Sequence, residues 1–328
     1  MSMEVVVVTF NSATHIGPCI ASIVRNGATP ILVDNGSTDD TLAIARRQCA
    51  DVRIIPTGRN IGYGKAMKLG FQQTSSQFVV LSNPDVVYPP HSIAPLVEYL
   101  KKHPDAAIVG PQLMFPDGKW QRSYGDLPGL WPGFKDAIGI NSIKNWARRW
   151  FWPRKLERKP KDVPYVDGAV WVVRREAFTD LGGFDERFYF YGEESDLCAR
   201  AHKSGWRTVF NPDVCVMHVR GGSSGQAGAS ERLMRYLITG QALLATTYLR
   251  PWKRYVYYWL ERIASIRLAV TYRILGYLRH SATCSNMAKD HERYARLWQE
   301  QMGKDPQYDI APPLTRRDSP LEQESANG

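Results

Sequence analysis

Asp34, Asp85, Glu193, Glu194 and His218 stand where apolar runs give way to turn or helix-start residues. Asp85 follows Asn83-Pro84 at the end of the run Phe78-Val-Val-Leu-Ser82. A carboxylate so placed can hold Mg²⁺ or Mn²⁺, which prefer oxygen ligands and bridge diphosphates. An Asx-Pro turn explains the same residues. A second Asn-Pro-Asp, ending at Asp213, is read only as a turn, so that explanation carries weight. His218 closes an apolar run before Arg220-Gly-Gly-Ser-Ser224. A neutral imidazole there can add a ligand to the cation at Asp85, or be a satisfied structural histidine. Glu193 and Glu194 lie where a loop enters a helix. A helix N-terminus stabilises anions by roughly 0.3–1 kcal/mol. A carboxylate there is expected to stay ionised at neutral pH and can act as a general base. Ordinary helix-start charge preference, with an Asp196–Arg200 pair four residues apart, is the plainer alternative. Asp34 can accept the imide N–H of a uracil or thymine base, yet Asp34-Asn-Gly-Ser37 is equally good turn chemistry.

Asn60-Ile-Gly-Tyr-Gly64 has the glycines that let backbone approach a ligand closely. It is not a dinucleotide fingerprint, because it does not follow the first strand and lacks the third glycine. Despite Gly64-Lys65 it is not a P-loop, because the first glycine and the Ser/Thr are missing.

These residues need elements to hold them. Over the first 110 residues, short β-branched runs alternate with helical stretches. Strands are expected at 5–9, 31–33, 52–55, 78–81 and 107–109, with helices at about 13–24, 41–49, 65–73 and 91–102. Thr38 or Asp39 is placed to cap the second helix. Continuously apolar strands between helices argue for a parallel sheet covered on both faces. Ligands of such sheets gather at the carboxyl ends of the strands. Thr9 to Ser12, Asp34 to Asp40 and Asn83 to Asp85 are therefore expected to share one crevice. Further on, strands are expected at 169–173, 208–210 and 214–217, and helices at 175–181 and 194–204.

Residues 120–162 differ in character, carrying Trp120, Trp131, Trp146, Trp150 and Trp152 among Gly, Pro, Arg and Lys. They read as a lid or acceptor-binding excursion, helical near 143–150, or as a poorly ordered insertion. From 226 to 302 the chain is helical, basic and aromatic, as in Tyr255-Val-Tyr-Tyr-Trp-Leu260. That pattern fits an anionic membrane surface, or a helical subdomain packed on the catalytic domain or on a second subunit in a homodimer. Residues 303–328 are polar and expected to be disordered.

The formal charge of +10, from 42 Lys+Arg against 32 Asp+Glu, suits anionic partners without choosing among them. Five scattered cysteines without CxxC spacing argue against a disulfide framework or structural zinc and for reduced, cytosolic thiols. No signal-peptide core and no run long enough to span a bilayer is apparent.

Seven motifs in order resemble the inverting family-2 glycosyltransferases of GT-A fold, in particular the rhamnosyltransferase-like branch of cell-surface polysaccharide synthesis. They are Val7-Val-Thr-Phe-Asn-Ser12, Val33-Asp-Asn-Gly-Ser-Thr-Asp39, Asn60-Ile-Gly-Tyr-Gly64, Leu81-Ser-Asn-Pro-Asp85, Gly182-Gly-Phe-Asp-Glu186, Tyr191-Gly-Glu-Glu-Ser-Asp-Leu197 and the stretch Pro212 to His218. Together they span about residues 4–224. The resemblance implies an α/β fold: a GT-A type, mostly parallel nucleotide-binding sheet flanked by helices, with a C-terminal helical extension. It divides the chain into a catalytic domain at 1–225, a helical region at 226–302 and a tail at 303–328. Within the catalytic domain, 1–110 form the nucleotide-binding half, 120–162 the excursion and 163–225 the acceptor and catalytic half.

By the same resemblance, Asp34 contacts the donor base, and Asn60, Gly62, Tyr63 and Gly64 line the nucleotide pocket with Thr9, Asn11 and Asn83. Asp85 matches the last position of the family's Asp-x-Asp metal motif, with Asn83 where many members have Asp. His218 matches the metal-binding histidine. Glu194 matches the general base, one methylene longer than the usual Asp. Arg220 and the loop after it fit the diphosphate more loosely. Asp185, Glu193 and Trp171 fall on the acceptor or supporting side. The implied cofactor is Mn²⁺ or Mg²⁺. The implied donor is a nucleotide sugar, dTDP-L-rhamnose by preference, and the acceptor a saccharide, lipid-linked by preference. The implied location is cytoplasmic, peripheral at the inner face of the cell membrane.

A single base without a covalent nucleophile implies in-line displacement with inversion. The alternative enzyme is a sugar-1-phosphate nucleotidyltransferase, which needs a Gly-rich basic loop after strand one where this chain has Thr9-Phe-Asn-Ser12. A nucleic-acid-binding protein is the non-enzymatic alternative, prompted by charge and the Trp/Arg segments. On the motif reading nucleic acid is not a partner. A catalytically dead scaffold is disfavoured by Asp85, Glu194 and His218 occurring together.

Overall fold

The computed structural model describes residues 3–143, 159–219 and 231–308. The chain divides into two compact units, one of residues 1–126 with 157–223 and one of 127–156 with 224–328. The first unit runs β1 (Met3–Thr9), α1 (Ala13–Arg25), β2 (Ala28–Asp34), α2 (Thr41–Gln48), β3 (Arg53–Pro56), α3 (Tyr63–Gln72) and β4 (Phe78–Ser82). It continues through β5 (Val86–Val87), α4 (Ile93–Lys102), β6 (Ala106–Met114) and β7 (Tyr124–Gly125). The chain then enters the second unit as α5 (Leu130–Ala137). The first unit resumes with β8 (Lys161–Asp162), β9 (Tyr165–Val166), β10 (Val170–Arg174), α6 (Arg175–Asp180), α7 (Glu193–Lys203) and β11 (Arg207–His218). The second unit is completed by α8 (Glu231–Tyr248), α9 (Pro251–Arg279) and α10 (Ala282–Gln301).

Val5 to Val8 are buried on both faces of β1, as a β-branched run in a covered sheet must be. The main sheet has the order β3-β2-β1-β4-β10-β6-β11-β5, with β8 beside β11. β1 pairs in parallel with both β2 and β4, so the chain crosses from one side of β1 to the other after β3. A crevice opens at such a reversal, beyond the carboxyl ends of the strands. β10 is antiparallel to β4 and β6, which makes the sheet mixed but mostly parallel. One core layer, around Ile16, Ile20 and Leu96, covers one face of the sheet. The other, around Met67, Phe71 and Phe178, covers the opposite face. There α3 presses on the sheet at Gly70, where an added Cβ would lie 2.3 Å from Val6 Cγ1.

Some local expectations change. Asp40, not Thr38 or Asp39, precedes α2, and its side chain makes no capping bond. Asp39 instead accepts the Thr41 and Ala13 N–H groups, both at 3.1 Å, tying α2 to the start of α1. The two strands expected at 208–210 and 214–217 are one strand, β11, with an irregularity between Asn211 and Cys215. Pro212 fits only at such an irregularity, and Asp213 belongs to it rather than to a separating turn, its N–H donating to Asn211 Oδ1 at 3.0 Å.

The second unit packs α8, α9 and α10 around Met234, Ile238, Tyr257, Tyr258, Leu297 and Trp298. Of the 120–162 excursion, 144–158 lie outside the described residues, with Trp146, Trp150 and Trp152. The described part contains α5 and a helical turn from Ile140 to Ile143. Arg220 and the loop after it, and residues 309–328, also lie outside the described residues. The five cysteines are unpaired. Among the described residues, no helix is long and apolar enough to cross a membrane.

Candidate active site

Two strands bring Asp85 to His218. β5 pairs antiparallel with β11, with His218 opposite Val86, and the Val219 N–H donates to the Asp85 carbonyl at 3.0 Å. His218 Nε2 then lies 3.4 Å from Asp85 Oδ1, both side chains buried. The other ring nitrogen, Nδ1, faces Gln121 Oε1 at 3.1 Å, and Gln121 Nε2 donates to the His218 carbonyl. That second bond fixes the Gln121 amide, so Nδ1 carries a hydrogen and Nε2 is the ring atom that faces the carboxylate. Neither Asp85 oxygen has a hydrogen-bond donor. A buried carboxylate without donors, facing Nε2 of an imidazole, is satisfied by a cation between them or by a proton on Nε2. Burial opposes the Asp85 charge, but the His218 imidazole outweighs it and holds the carboxyl below its usual range. A carboxylate oxygen and an imidazole nitrogen could together hold a divalent cation, the carboxylate being the ligand that suits Mn²⁺ or Mg²⁺. Among the described residues no third acidic, histidine or cysteine side chain joins them.

The second group of acids follows Gly192, which has φ +97° beside Tyr191 at φ +68°. Two successive left-handed residues turn the chain sharply into α7. Its first two residues are Glu193 and Glu194. Glu193 is buried and its Oε2 has no partner. Burial, then the neighbouring Glu194 charge, pushes its pKa well above the carboxylate range. Glu194 Oε2 accepts the Gly192 N–H at 3.1 Å. Burial, helped by the Asp167 charge, still lifts Glu194 to about 7. The expectation that Glu194 stays fully ionised at neutral pH is therefore corrected: at about 7 it is near half ionised there. The helix N-terminus is worth less here than desolvation costs.

Tyr63 is influenced by both groups of acids. Its hydroxyl donates to the Gly168 carbonyl at 3.2 Å. Its pKa is driven far up by burial and then by Glu193, Glu194 and Asp85, so all these acids act on one side chain. An added Cβ on Gly64 would lie 3.7 Å from Glu193 Cβ, and one on Gly168 3.6 Å from Glu194 Cβ. Gly62 has φ +93°, and its Cβ would lie 2.7 Å from the Tyr189 carbonyl, to which Tyr63 N–H donates at 3.0 Å. The glycine loop is thus seated on the segment that leads into α7.

The strand-end clusters also meet. Asp34 is buried at the end of β2, and both its oxygens accept the Ser37 N–H, at 3.1 and 3.3 Å. The turn chemistry is therefore present, with acceptor capacity left over. Asn11 has φ +47° and its Oδ1 accepts the Thr38 N–H at 2.8 Å. Thr9 is buried with an unpartnered Oγ1. Asn83 N–H donates to the Ala169 carbonyl at 2.9 Å, joining the end of β4 to the start of β10. Trp171 is buried in the core, its Nε1 donating to the Asp167 carbonyl at 2.7 Å and its ring 5.7 Å from Phe184. Asp185 is engaged with Arg187 in the turn before Phe188, at 2.7 Å to Nη2. The Asp196–Arg200 pair forms, and Arg200 also donates to the Leu181 and Gly183 carbonyls at 2.6 and 2.8 Å, anchoring α7 to that turn.

Asn35 and Gln121 had not been singled out. Asn35 Oδ1 accepts the Ile61 N–H at 3.0 Å, and its Nδ2 donates to Asn60 Oδ1 at 3.1 Å and the Gly62 carbonyl at 3.3 Å. It ties the glycine loop to the end of β2, and its place beside Asp34 was a usable signal. Gln121 had none, since it sits in what reads as the beginning of a lid.

A mostly parallel sheet with carboxylates, a histidine and a glycine loop at its carboxyl edge defines a nucleotide-sugar transferase of GT-A type. Residues 4–182 match the family described as Glycosyl transferase family 2. The chain belongs to that family. Residues 158–218 also match the family described as N-terminal domain of galactosyltransferase. The chain is 33% identical over 252 residues to N-acetylglucosaminyl-diphospho-decaprenol L-rhamnosyltransferase of Mycobacterium tuberculosis, covering 70% of this chain and 79% of that protein. It is 23% identical to the low-salt glycan biosynthesis hexosyltransferase Agl10 of Haloferax volcanii, covering 61% of this chain and 62% of that one. Among solved structures it resembles the mannosyltransferase PcManGT of Pyrobaculum calidifontis, in complex with GDP-Man and Mn²⁺, with TM-score 0.57, 17% identity, and coverage of 91% of this chain and 86% of that one. It also resembles GalNAc-T7 with UDP, GalNAc and Mn²⁺, again with TM-score 0.57, at 16% identity, covering 92% of this chain and 56% of that chain.

Proposed function

We propose that this chain is an inverting, metal-dependent rhamnosyltransferase. It moves L-rhamnose from dTDP-L-rhamnose to the N-acetylglucosamine of a lipid-linked diphosphosaccharide in surface polysaccharide synthesis. The substrate reading rests on the 33% identity to the mycobacterial rhamnosyltransferase. The chemical reading is supported by Tyr63, on which the charges of Glu193, Glu194 and Asp85 all act.

An acceptor hydroxyl is a poor nucleophile until its proton is taken. Glu194, with a pKa of about 7, is matched to that task. Protonated Glu193 beside it keeps a second charge out of the pocket and is free to donate a hydrogen bond to the acceptor. On the leaving side, Asp85 and His218 would hold Mn²⁺ or Mg²⁺, which when bound offsets charge growing on the nucleoside diphosphate. Asp34 accepts the imide N–H of the thymine base. The Asn60–Gly64 loop lies against the nucleotide, with Thr9, Asn11 and Asn83 beside it. With one base and no covalent nucleophile, the product has the opposite anomeric configuration to the donor.

The test is a donor screen with an N-acetylglucosaminyl diphospholipid acceptor and Mn²⁺, read by nucleotide release and product NMR. dTDP-L-rhamnose should turn over with inversion. Preference for another nucleotide sugar would refute the donor, and retention would refute the single-base mechanism.

A further inference from the structure

The 29 residues of α9 pack Tyr257 and Tyr258 into the second unit's core. The helix packs along most of its length, from Tyr257 to Gly276, and still leaves one face bare. Along that face Trp252, Val256, Trp259, Ile263, Val270 and Ile274 recur at steps of three, four and seven residues, each 36–58% exposed. Such spacing keeps them on one side of a helix with 3.6 residues per turn. α5 widens the surface. Its Gly133 packs against α9, where an added Cβ would lie 3.3 Å from Tyr257 and Leu260, while Trp131, Phe134 and Ile138 stay 42–64% exposed.

The charges around this face point to its occupant. α9 carries Lys253, Arg254, Arg262, Arg267, Arg273 and Arg279 against a single acid of its own, Glu261; of these, Arg273 pairs with Glu292 of α10 and Arg267 donates to the Asp136 and Ala137 carbonyls. Glu261 is turned away, into a cavity of about 200 Å³ that it lines with Asp136 and Trp298. Lys253 lies over the Trp252 ring at 5.6 Å and Arg262 over the Trp259 ring at 5.1 Å, so cations border the apolar stripe. In a symmetric dimer the same patch meets itself, and these cations would face cations. An apolar stripe with two Trp, bordered by Lys253 and Arg262 and carrying no acid of α9, is instead complementary to an anionic lipid surface.

We propose that the exposed face of α9, with the adjoining face of α5, is a membrane-docking surface that lies in the headgroup region of an anionic bilayer without crossing it. The proposal is independent of which sugar is transferred, and vesicle binding can be measured with no reaction running.

The test is flotation of the full chain with vesicles of phosphatidylcholine alone, or of phosphatidylcholine with about one-third phosphatidylglycerol. Wild type should float with the anionic vesicles, less so as salt rises. Val270→Glu with Ile274→Glu should weaken vesicle binding by about tenfold or more, with helicity by circular dichroism unchanged. Thr271→Glu adds an acid to the same helix about 100° from Val270 and should weaken binding by no more than about threefold. If the double Glu variant loses helicity, Val270→Ser with Ile274→Ser serves in its place. Three results overturn the proposal: wild type that does not float with anionic vesicles, a stripe variant that floats as well as wild type, or a wild-type dimer that the stripe variant splits in sedimentation.

Discussion

Replacing Glu194 with Gln should make the enzyme slower and more stable at the same time. The reasoning starts from a carboxyl lifted from 4.5 to about 7, chiefly by burial. That is a factor of about 300 in proton affinity, or about 3 kcal/mol at roughly 1.4 kcal/mol per tenfold. The group is half-buried, and solvent screening reduces this, so about 2 kcal/mol is the fairer figure. The sign follows from linkage. Below pH 4.5 the group is protonated in both folded and unfolded chains and costs nothing. Between 4.5 and about 7 the unfolded chain ionises and the folded one does not, so stability falls as pH rises. Above about 7 the loss is complete. Gln keeps the shape and removes the charge. At about pH 8 the variant should therefore melt about 5 °C above wild type, at roughly 2–4 °C per kcal/mol, and the difference should close by about pH 4. Turnover should fall by about 10²–10⁴, the usual contribution of a general base. Wild-type kcat/KM should climb tenfold per pH unit up to about 7 and then level, while the residual activity of the variant loses that inflection. Differential scanning fluorimetry across pH, with nucleotide release on the same samples, measures both. A variant that is no more stable at about pH 8, or one that turns over near-normally, would refute the assignment.

Three further outcomes are expected. Asp85→Asn should abolish the thermal shift that Mn²⁺ and a nucleoside diphosphate give to wild type, because the donor-free carboxylate is what a cation would satisfy. Asn35→Ala should raise the donor KM more than it lowers kcat and cost about 1–3 kcal/mol in urea unfolding, since it frees the Ile61 N–H and the Gly62 carbonyl together. Gly70→Ala should lower stability by about 1–3 kcal/mol without touching the site, because the new methyl meets Val6 and Val33.

Much of this fold was legible because its strands are short apolar runs at regular spacing, and a parallel sheet leaves that signature. β10 was legible as a strand but not in direction. A strand buried between two others reads as continuously apolar whichever way it runs, and Val170–Arg174 is buried throughout. The joined β11 was hidden by Asn-Pro-Asp, which reads as a turn and serves as an irregularity within one strand. Helix Leu130–Ala137 was hidden by its Gly and Pro, whose composition resembles a loop. The site residues were legible by type, since acids, glycines and histidine at strand ends are conspicuous. Their protonation was not. It depends on burial and on Asp167, which only the folded chain supplies. Nor was the orientation of His218, which depends on Gln121, 97 residues away in sequence.

Two of these long-range links are one device. The Asn60–Gly64 loop is held at one end by Asn35 and at the other by the Tyr189 carbonyl, which accepts the Tyr63 N–H at 3.0 Å. Tyr189 stands just before the left-handed pair Tyr191-Gly192 that turns the chain into Glu193 and Glu194. The loop that the proposed donor would touch and the turn that aims the proposed base therefore share a hydrogen bond and a close backbone contact at Gly62. A side chain at Gly62 would have to move the Tyr189 carbonyl, and with it the entry to α7. That explains physically why a glycine far from the base in sequence matters to the base, and why backbone strain collects at residues 191–192. It also assigns Tyr63 its place. Acted on by the charges of Asp85 and the two glutamates, its hydroxyl stays protonated and neutral, so it adds no charge of its own.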